Sequence, residues 1–323
     1  MMSRRTCLQW LPMLAALPLS ALAQAYPSHP VRLIVPLSPG SGTDVVARYM
    51  SAELAKALGG SFVVENRMGA SGIIGTDFVV KAPADGYTIL FNYAAHYSNQ
   101  FVEKTPYDAV SDFAPVARLA SSAMVLVTAA NSPFRTVQDL IAAAKRKPGG
   151  LSYGSPGSGT TPQMAAALMS SMAGIRMTHI PYKAPAQVVV DVAGGQLDVG
   201  FGGVATSLPL VKAGRLRVLA VTSKQRSGYF PDAPTLDEAG LKGYEMVTPI
   251  WAFARHGTPQ AIVAQLSDVM TRAAAAPAFK AFCASQGLEV DIQDAARARA
   301  SAPAELERWK KLVALAEKKE SGL

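Results

Sequence analysis

Two short stretches put glycines and small hydroxyl residues where a strand hands over to a helix. SPGSGTD (38–44) follows the apolar run VRLIVPL, and GSPGSGTT (154–161) follows LSY. In the second, Thr160 or Thr161 is a natural N-cap and Pro162 suits the first helical position. Glycines at 154, 157 and 159 let the backbone turn sharply and let a ligand come close. The first N–H groups of a helix have no intrahelical acceptor, and the helix dipole favours an anion there. In the other loop Gly40, Ser41, Gly42 and Thr43 precede Asp44, which reads as a cap because its charge would repel an anion. Each charge-assisted hydrogen bond to a carboxylate contributes roughly 1.5–3 kcal/mol. Two carboxylates held at two helix starts would thus reach micromolar affinity, about −8 kcal/mol, with no arginine in the pocket.

Sharper chemistry is missing from both loops. A phosphate loop needs a Lys after its last glycine, and neither stretch has one. Pro162 stands where the third glycine of a dinucleotide fingerprint belongs. The nucleophile elbow G-x-S-x-G is absent. His29, His96, His179 and His256 are far apart in sequence, without a Cys partner at ligand spacing, so no metal is expected. A hydrolase using Ser155 or Ser158 stays open as an enzymatic alternative, but no base motif accompanies either serine. The residues predict binding rather than catalysis, with no cofactor.

The elements that position these loops are short apolar strands alternating with helix-length segments. Strands are expected at 31–37, 61–67, 87–93, 124–130, 151–155, 177–182, 197–203, 216–223 and within 244–255. Helix patterns lie between them, as in 44–58, 136–147 and 186–195. Near-continuous apolar strands separated by helices predict parallel sheets covered on both faces. Eight or more strands exceed one ordinary sheet, so the expected fold is two doubly wound α/β domains around a cleft. From about Pro259 the chain reads as helical, with a break near Pro303, and is expected to pack back on the first sheet. The expected division is residues 26–124 plus 249–323 for one domain and 125–248 for the other. Two crossings make a hinge, and a hinge makes a cleft.

The first 25 residues read as a cleaved export signal: Arg4 and Arg5, an apolar run broken by Pro12 and Pro18, then cleavage after Ala23 or Ala25. SRRTCLQ also looks like a twin-arginine signal, imperfect at Cys7 and Gln9. Beyond it Cys283 is the only cysteine, so no internal disulfide is expected and stability must come from core burial. The formal charge is +8, or +6 without Arg4 and Arg5, which suits long-range steering of small anions. The basic residues are scattered, which argues against nucleic acid.

Taken in order, FVVENRMGASGIIGTDFVVKAPADGYTIL (62–90), YDAVSDFAPVARL (107–119), LSYGSPGSGT (151–160), HIPYKAPAQVVVDVAGGQLDVGF (179–201) and PDAPTLDEAGLKGYE (231–245) resemble the Bug-type extracytoplasmic solute receptors, the binding proteins of tripartite tricarboxylate transporters. The resemblance runs over essentially the whole chain after the signal. It implies a two-domain Venus flytrap in the periplasm, acting as a monomer, that takes a small carboxylate and delivers it to membrane permease subunits. A sensor handing its closed form to a signalling partner would use the same pocket. By position, the resemblance implies that Ser38, Pro39, Gly40, Ser41, Gly42 and Thr43 hold the ligand from the first domain. Ser155, Gly157, Ser158, Gly159, Thr160 and Thr161 would do so from the second. Asn92, Tyr93 and His96 end a first-domain strand, and Tyr182, Lys183, Phe201 and Gly202 end second-domain strands, where pocket residues of open α/β sheets lie. Lys183 could be a counter-charge or a solvated lysine, and Trp251 could close over a ligand or pack the hinge. Gly40-Ser41, Ala184, the aromatic NYAAHY (92–97) and Arg255-His256 depart from the family's usual pattern, so the resemblance does not specify which acid is bound.

Overall fold

The computed structural model describes residues 26–155, 157, 160–182 and 185–320. The expected export signal, Ser158, Gly159 and Lys183 therefore lie outside the described residues.

The chain opens with parallel βα units. Strands β1 (Val31–Val35), β2 (Phe62–Asn66) and β3 (Thr88–Asn92) alternate with helices α1 (Gly42–Leu58), α2 (Ile73–Lys81) and α3 (Ala95–Val102). β1 pairs parallel with both β2 and β3, and its Val31, Leu33, Ile34 and Val35 are fully buried. A second group follows: α4 (Val137–Arg146), β5 (Ser152–Ser155), α5 (Thr161–Ala173), β6 (Thr178–Pro181), α6 (Pro185–Ala193), β7 (Val199–Gly203), α7 (Val204–Lys212) and β8 (Leu216–Val221). Here β5 pairs parallel with β6 and β7.

The join between the groups departs from the all-parallel expectation. β4 (Phe113–Ala129) is a single 17-residue strand, and all its partners run antiparallel. Its first part, to Ala123, pairs with β9 (Val247–Arg255); from Met124 it pairs with β7 and β8. β9 in turn pairs antiparallel with β3. The result is two α/β lobes strung on two crossing strands. The first half of β4, FAPVARLASSA, has few β-branched residues and a proline, so its strand character comes from tertiary context. Pro115, which cannot donate to a ladder, sits at an irregularity in the pairing, where the strand tolerates it.

After β9 come α8 (Gln260–Ala275), α9 (Pro277–Ser285), β10 (Glu289–Gln293) and α10 (Ala295–Glu320). β10, unexpected from sequence, pairs with β4 around Arg118–Ser121. Val263, Leu266, Phe279 and Cys283 of α8 and α9 pack into the core under β1 and β9. α10 runs through Pro303 unbroken and packs against both α3 and α5, so the last helix touches both lobes. Its Trp309 is fully buried in a core that spans them.

Candidate functional site

Two helix starts, those of α1 and α7, meet at one cavity of about 350 Å³ between the lobes. The first lobe contributes Gly40, Gly42 and Thr43 at the start of α1, with Tyr93 just after β3. The second contributes Gly203, Val204, Ala205 and Thr206 at the start of α7. Ser122 and Thr248 come from the crossing strands, and the turn between α9 and β10 adds Gln286, Gly287 and Leu288. The start of α5 supplies none of the described lining and reaches it through Thr248, whose hydroxyl donates to that of Thr161 at 3.5 Å.

At α1 the loop wraps its own cap. Ser41 is the N-cap and its hydroxyl accepts the Asp44 amide at 3.3 Å. Asp44 Oδ2 accepts the Gly40 amide at 2.9 Å and Arg48 Nε at 2.9 Å. Burial alone would raise the Asp44 pKa; the bonds from Arg48, Gly40 and Asn66 outweigh it and hold the carboxylate below its usual range. Asp44 is thus a neutralised cap. Gly40 keeps a φ of +81°, which a glycine tolerates and most residues do not. The amides of Gly42 and Thr43 have no acceptor among the described residues, and neither do those of Val204 and Ala205 at α7. These are the open donors.

Among the described residues, no carboxylate, ammonium, guanidinium or imidazole lines the cavity. Tyr93 is the one titratable group of the described lining, and burial raises the phenol's pKa, so it stays a neutral O–H donor. Leu37, Val45, Ile250 and Leu288 supply apolar surface. The described lining presents N–H and O–H groups to an anion and includes no fixed positive charge and no nucleophile–base pair.

The expected residues distribute unevenly. Gly40, Gly42, Thr43 and Tyr93 line the cavity, while Ser38, Pro39 and Ser41 shape the same turn. Thr160, whose hydroxyl donates to the Gly157 carbonyl at 2.7 Å, caps α5 beside Thr161. Ser155 is fully buried, 2.7 Å from His179 Nε2, and its hydroxyl accepts the Gly157 amide at 3.2 Å. The remaining residues are held elsewhere. Asn92 is buried, donating to Thr76 and accepting the Tyr93 amide. His96 is fully buried, bonded to the Ala109 carbonyl and stacked on Phe253 at 4.0 Å. Tyr182 donates to Asp191 at 2.8 Å, and burial together with that carboxylate pushes its pKa up to about 12. Phe201 is in the core, and a Cβ on Gly202 would meet Ser207 Oγ at 2.4 Å. Trp251 is fully buried beside Tyr97 and Phe253, so it packs the crossing strand.

Sequence reasoning passed over α7. The run LDVGFGGVATS repeats the grammar of strand, glycine and helix, and that signal would have found Gly203 to Thr206. Ser122, Thr248 and Gln286 to Leu288 carry no local signal, because only the tertiary fold brings them to the cavity.

Comparison with known proteins now bears on this geometry. The sequence profile of the tripartite tricarboxylate transporter family receptor matches residues 46–317. A protein from the tcbD-tcbE intergenic region of Pseudomonas sp. strain P51 is 37% identical over 291 residues, covering 90% of this chain and 87% of its own. Protein BugT of Bordetella pertussis is 33% identical over 296 residues, covering 90% of each. Among solved structures, an R. palustris protein with adipate has a TM-score of 0.77 at 34% identity, covering 90% of this chain and 98% of its own. A Polaromonas TctC solute binding protein has a TM-score of 0.79 at 28% identity, covering 89% and 99%. MatC from Rhodopseudomonas palustris, with bound malate, has a TM-score of 0.73 at 26% identity, covering 89% and 100%. The chain belongs to the tripartite tricarboxylate transporter receptor family, whose fold is that of solute-binding receptors and not of enzymes.

Proposed function

We propose that this chain is a monomeric periplasmic receptor that closes on a small carboxylate and hands it to the membrane subunits of a tripartite tricarboxylate-type transporter. The observation that carries the reading is the pair of helix starts, with open amides at Gly42, Thr43, Val204 and Ala205 around one cavity whose described lining carries no fixed charge. A di- or tricarboxylate, or an aromatic or amino acid, would set a carboxylate on such amides and its carbon skeleton on Leu37, Ile250 and Leu288. The adipate and malate in the two R. palustris relatives support that ligand class. The lobes would divide at residues 26–124 plus 249–323 and 125–248, in keeping with the change of β4 partners after Ala123. Residues 1–25 would direct export.

The test is a melting screen of protein unfolded and refolded to strip any bound ligand, against adipate, malate, citrate, aromatic acids and amino acids. A binding acid at a hundredfold excess over its Kd stabilises by about 2.7 kcal/mol, which reads as a clear rise in Tm. A panel with no rise for any acid would refute the reading.

A further inference from the structure

The turn between α9 and β10 closes one wall of the cavity, yet the two sides that hold it belong to different lobes. The turn is part of the first lobe: β10 pairs with β4 around Arg118 to Ser121, and Cys283 and Leu288 sit in the core under β1 and β9. Tyr229 is part of the second. Its ring packs against the core of Val125, Val127 and Val188, in a segment tied to β8 by the bond from the Val221 amide to the Pro234 carbonyl. Its hydroxyl crosses between them. The Gly287 amide donates to Tyr229 Oη at 3.1 Å, and Tyr229 Oη donates to the Cys283 carbonyl at 3.4 Å. Gly287 also rests on the start of α7: a Cβ there would lie 3.3 Å from the Ala205 amide nitrogen. The turn is therefore held by the second lobe at two points.

We infer that Tyr229 is a positioning residue for ligand binding, whose hydroxyl latches the α9–β10 turn in place as the closed wall of the cavity. Tyr229 does not line that cavity itself. It acts through Gly287 and its neighbours, and both hydrogen bonds depend on one oxygen. Separation of the lobes along the crossing strands would have to break both bonds and lift Gly287 off α7. The consequence for the ligand rests on the receptor reading above; the latch itself does not.

Tyr229→Phe removes only the oxygen. Hydrogen exchange measured on the whole ligand-free chain should show the peptide spanning 284–290 exchanging about tenfold faster, as loss of one or two neutral hydrogen bonds implies. Peptides from β1 and α1 should keep the wild-type rate. Unchanged exchange at 284–290 would overturn the latch, whether or not an acid binds. Gly287→Ala, which strains a backbone held at a φ of +72° and crowds Ala205, gives an independent reading: its effect and that of Tyr229→Phe should be less than additive in the double variant, and full additivity would also overturn the proposal. With any acid that the melting screen identifies, Tyr229→Phe should speed dissociation and leave association unaltered. A screen without a binding acid removes the receptor reading while the exchange result stands.

Discussion

Asp44 folds its carboxylate back onto Gly40, accepting that amide at 2.9 Å while Arg48 and Asn66 hold the rest of the group. The loop is thereby fixed before any ligand arrives, and the buried charge is answered inside the protein. Gly40 is withdrawn as a ligand donor, which leaves Gly42 and Thr43. Preorganised amides bind better than mobile ones, because less ordering remains to oppose binding. The Asp44 pKa is lowered in the folded state, so its stabilisation is present above the unfolded value, near 4, and is lost as pH falls through the folded value. Asp44→Asn should therefore cost about 1–3 kcal/mol at pH 7, with the gap to wild type closing toward pH 3. Urea unfolding at several pH values measures this, and a gap that stays constant with pH would exclude the carboxylate's charge as its source.

His96 also costs stability as pH falls, but because its charged form is disfavoured by burial. Burial pushes its pKa down to about 4 although the Ala109 carbonyl and Asp108 pull it up, and no group in the described residues pairs with its Nδ1. Between about 6.5 and about 4 the unfolded chain binds a proton there and the folded chain does not. Stability should fall by roughly 1.4 kcal/mol per pH unit through that window from this group alone. His96→Phe, which preserves the stack on Phe253, should flatten the slope. An unchanged slope in denaturant titrations would show that His96 is protonated in the folded protein.

Thr43 tests the cavity directly. Thr43 lines the site, and its hydroxyl has no partner among the described residues. Thr43→Val keeps the branched shape and removes the donor. Losing one hydrogen bond to a charged ligand should weaken binding about tenfold or more. The Tm of the unliganded variant should stay near that of wild type, since no internal bond is lost. Calorimetry with an acid from the screen measures the affinity; equal affinities would move the carboxylate away from α1.

Much of this arrangement was legible in the residues. The loops at 38–44 and 154–161 carry their own chemistry, since glycine, hydroxyl caps and Pro162 specify a strand-to-helix turn by local rules. The two-lobe class followed from apolar strands alternating with helices. What escaped is what depends on partners distant in the chain. The first half of β4 is a strand because β9 and β10 flank it, and β10 exists because β4 offers an edge. His96 and Asn92 end a strand as pocket residues do, but α3 turns inward at that point and carries His96 into the core among Phe113 and Phe253. Position at a strand end does not tell which way the next helix turns.

Arg118 joins the crossing strand to the C-terminal helix. It pairs with Asp291 and with Glu305, the latter at 3.5 Å, and lies over the ring of Trp251, its register partner on β9, at 5.4 Å. Its side chain is only 11% exposed, and that of Glu305 only 12%. Removing one partner from a buried ion pair leaves the other charge without an answer, and such changes cost about 3–5 kcal/mol. Arg118→Ala should therefore destabilise strongly, whereas Arg118→Lys, which keeps the charge but not the planar fork, should recover part of the loss. Because α10 packs on both α3 and α5, the loss should register in the lobes together, as one cooperative transition at lower denaturant. Chemical unfolding followed by Trp fluorescence measures it. An Arg118→Ala variant as stable as wild type would mean that Glu305 and Asp291 reach water once the arginine is gone, and that α10 is held by apolar packing alone.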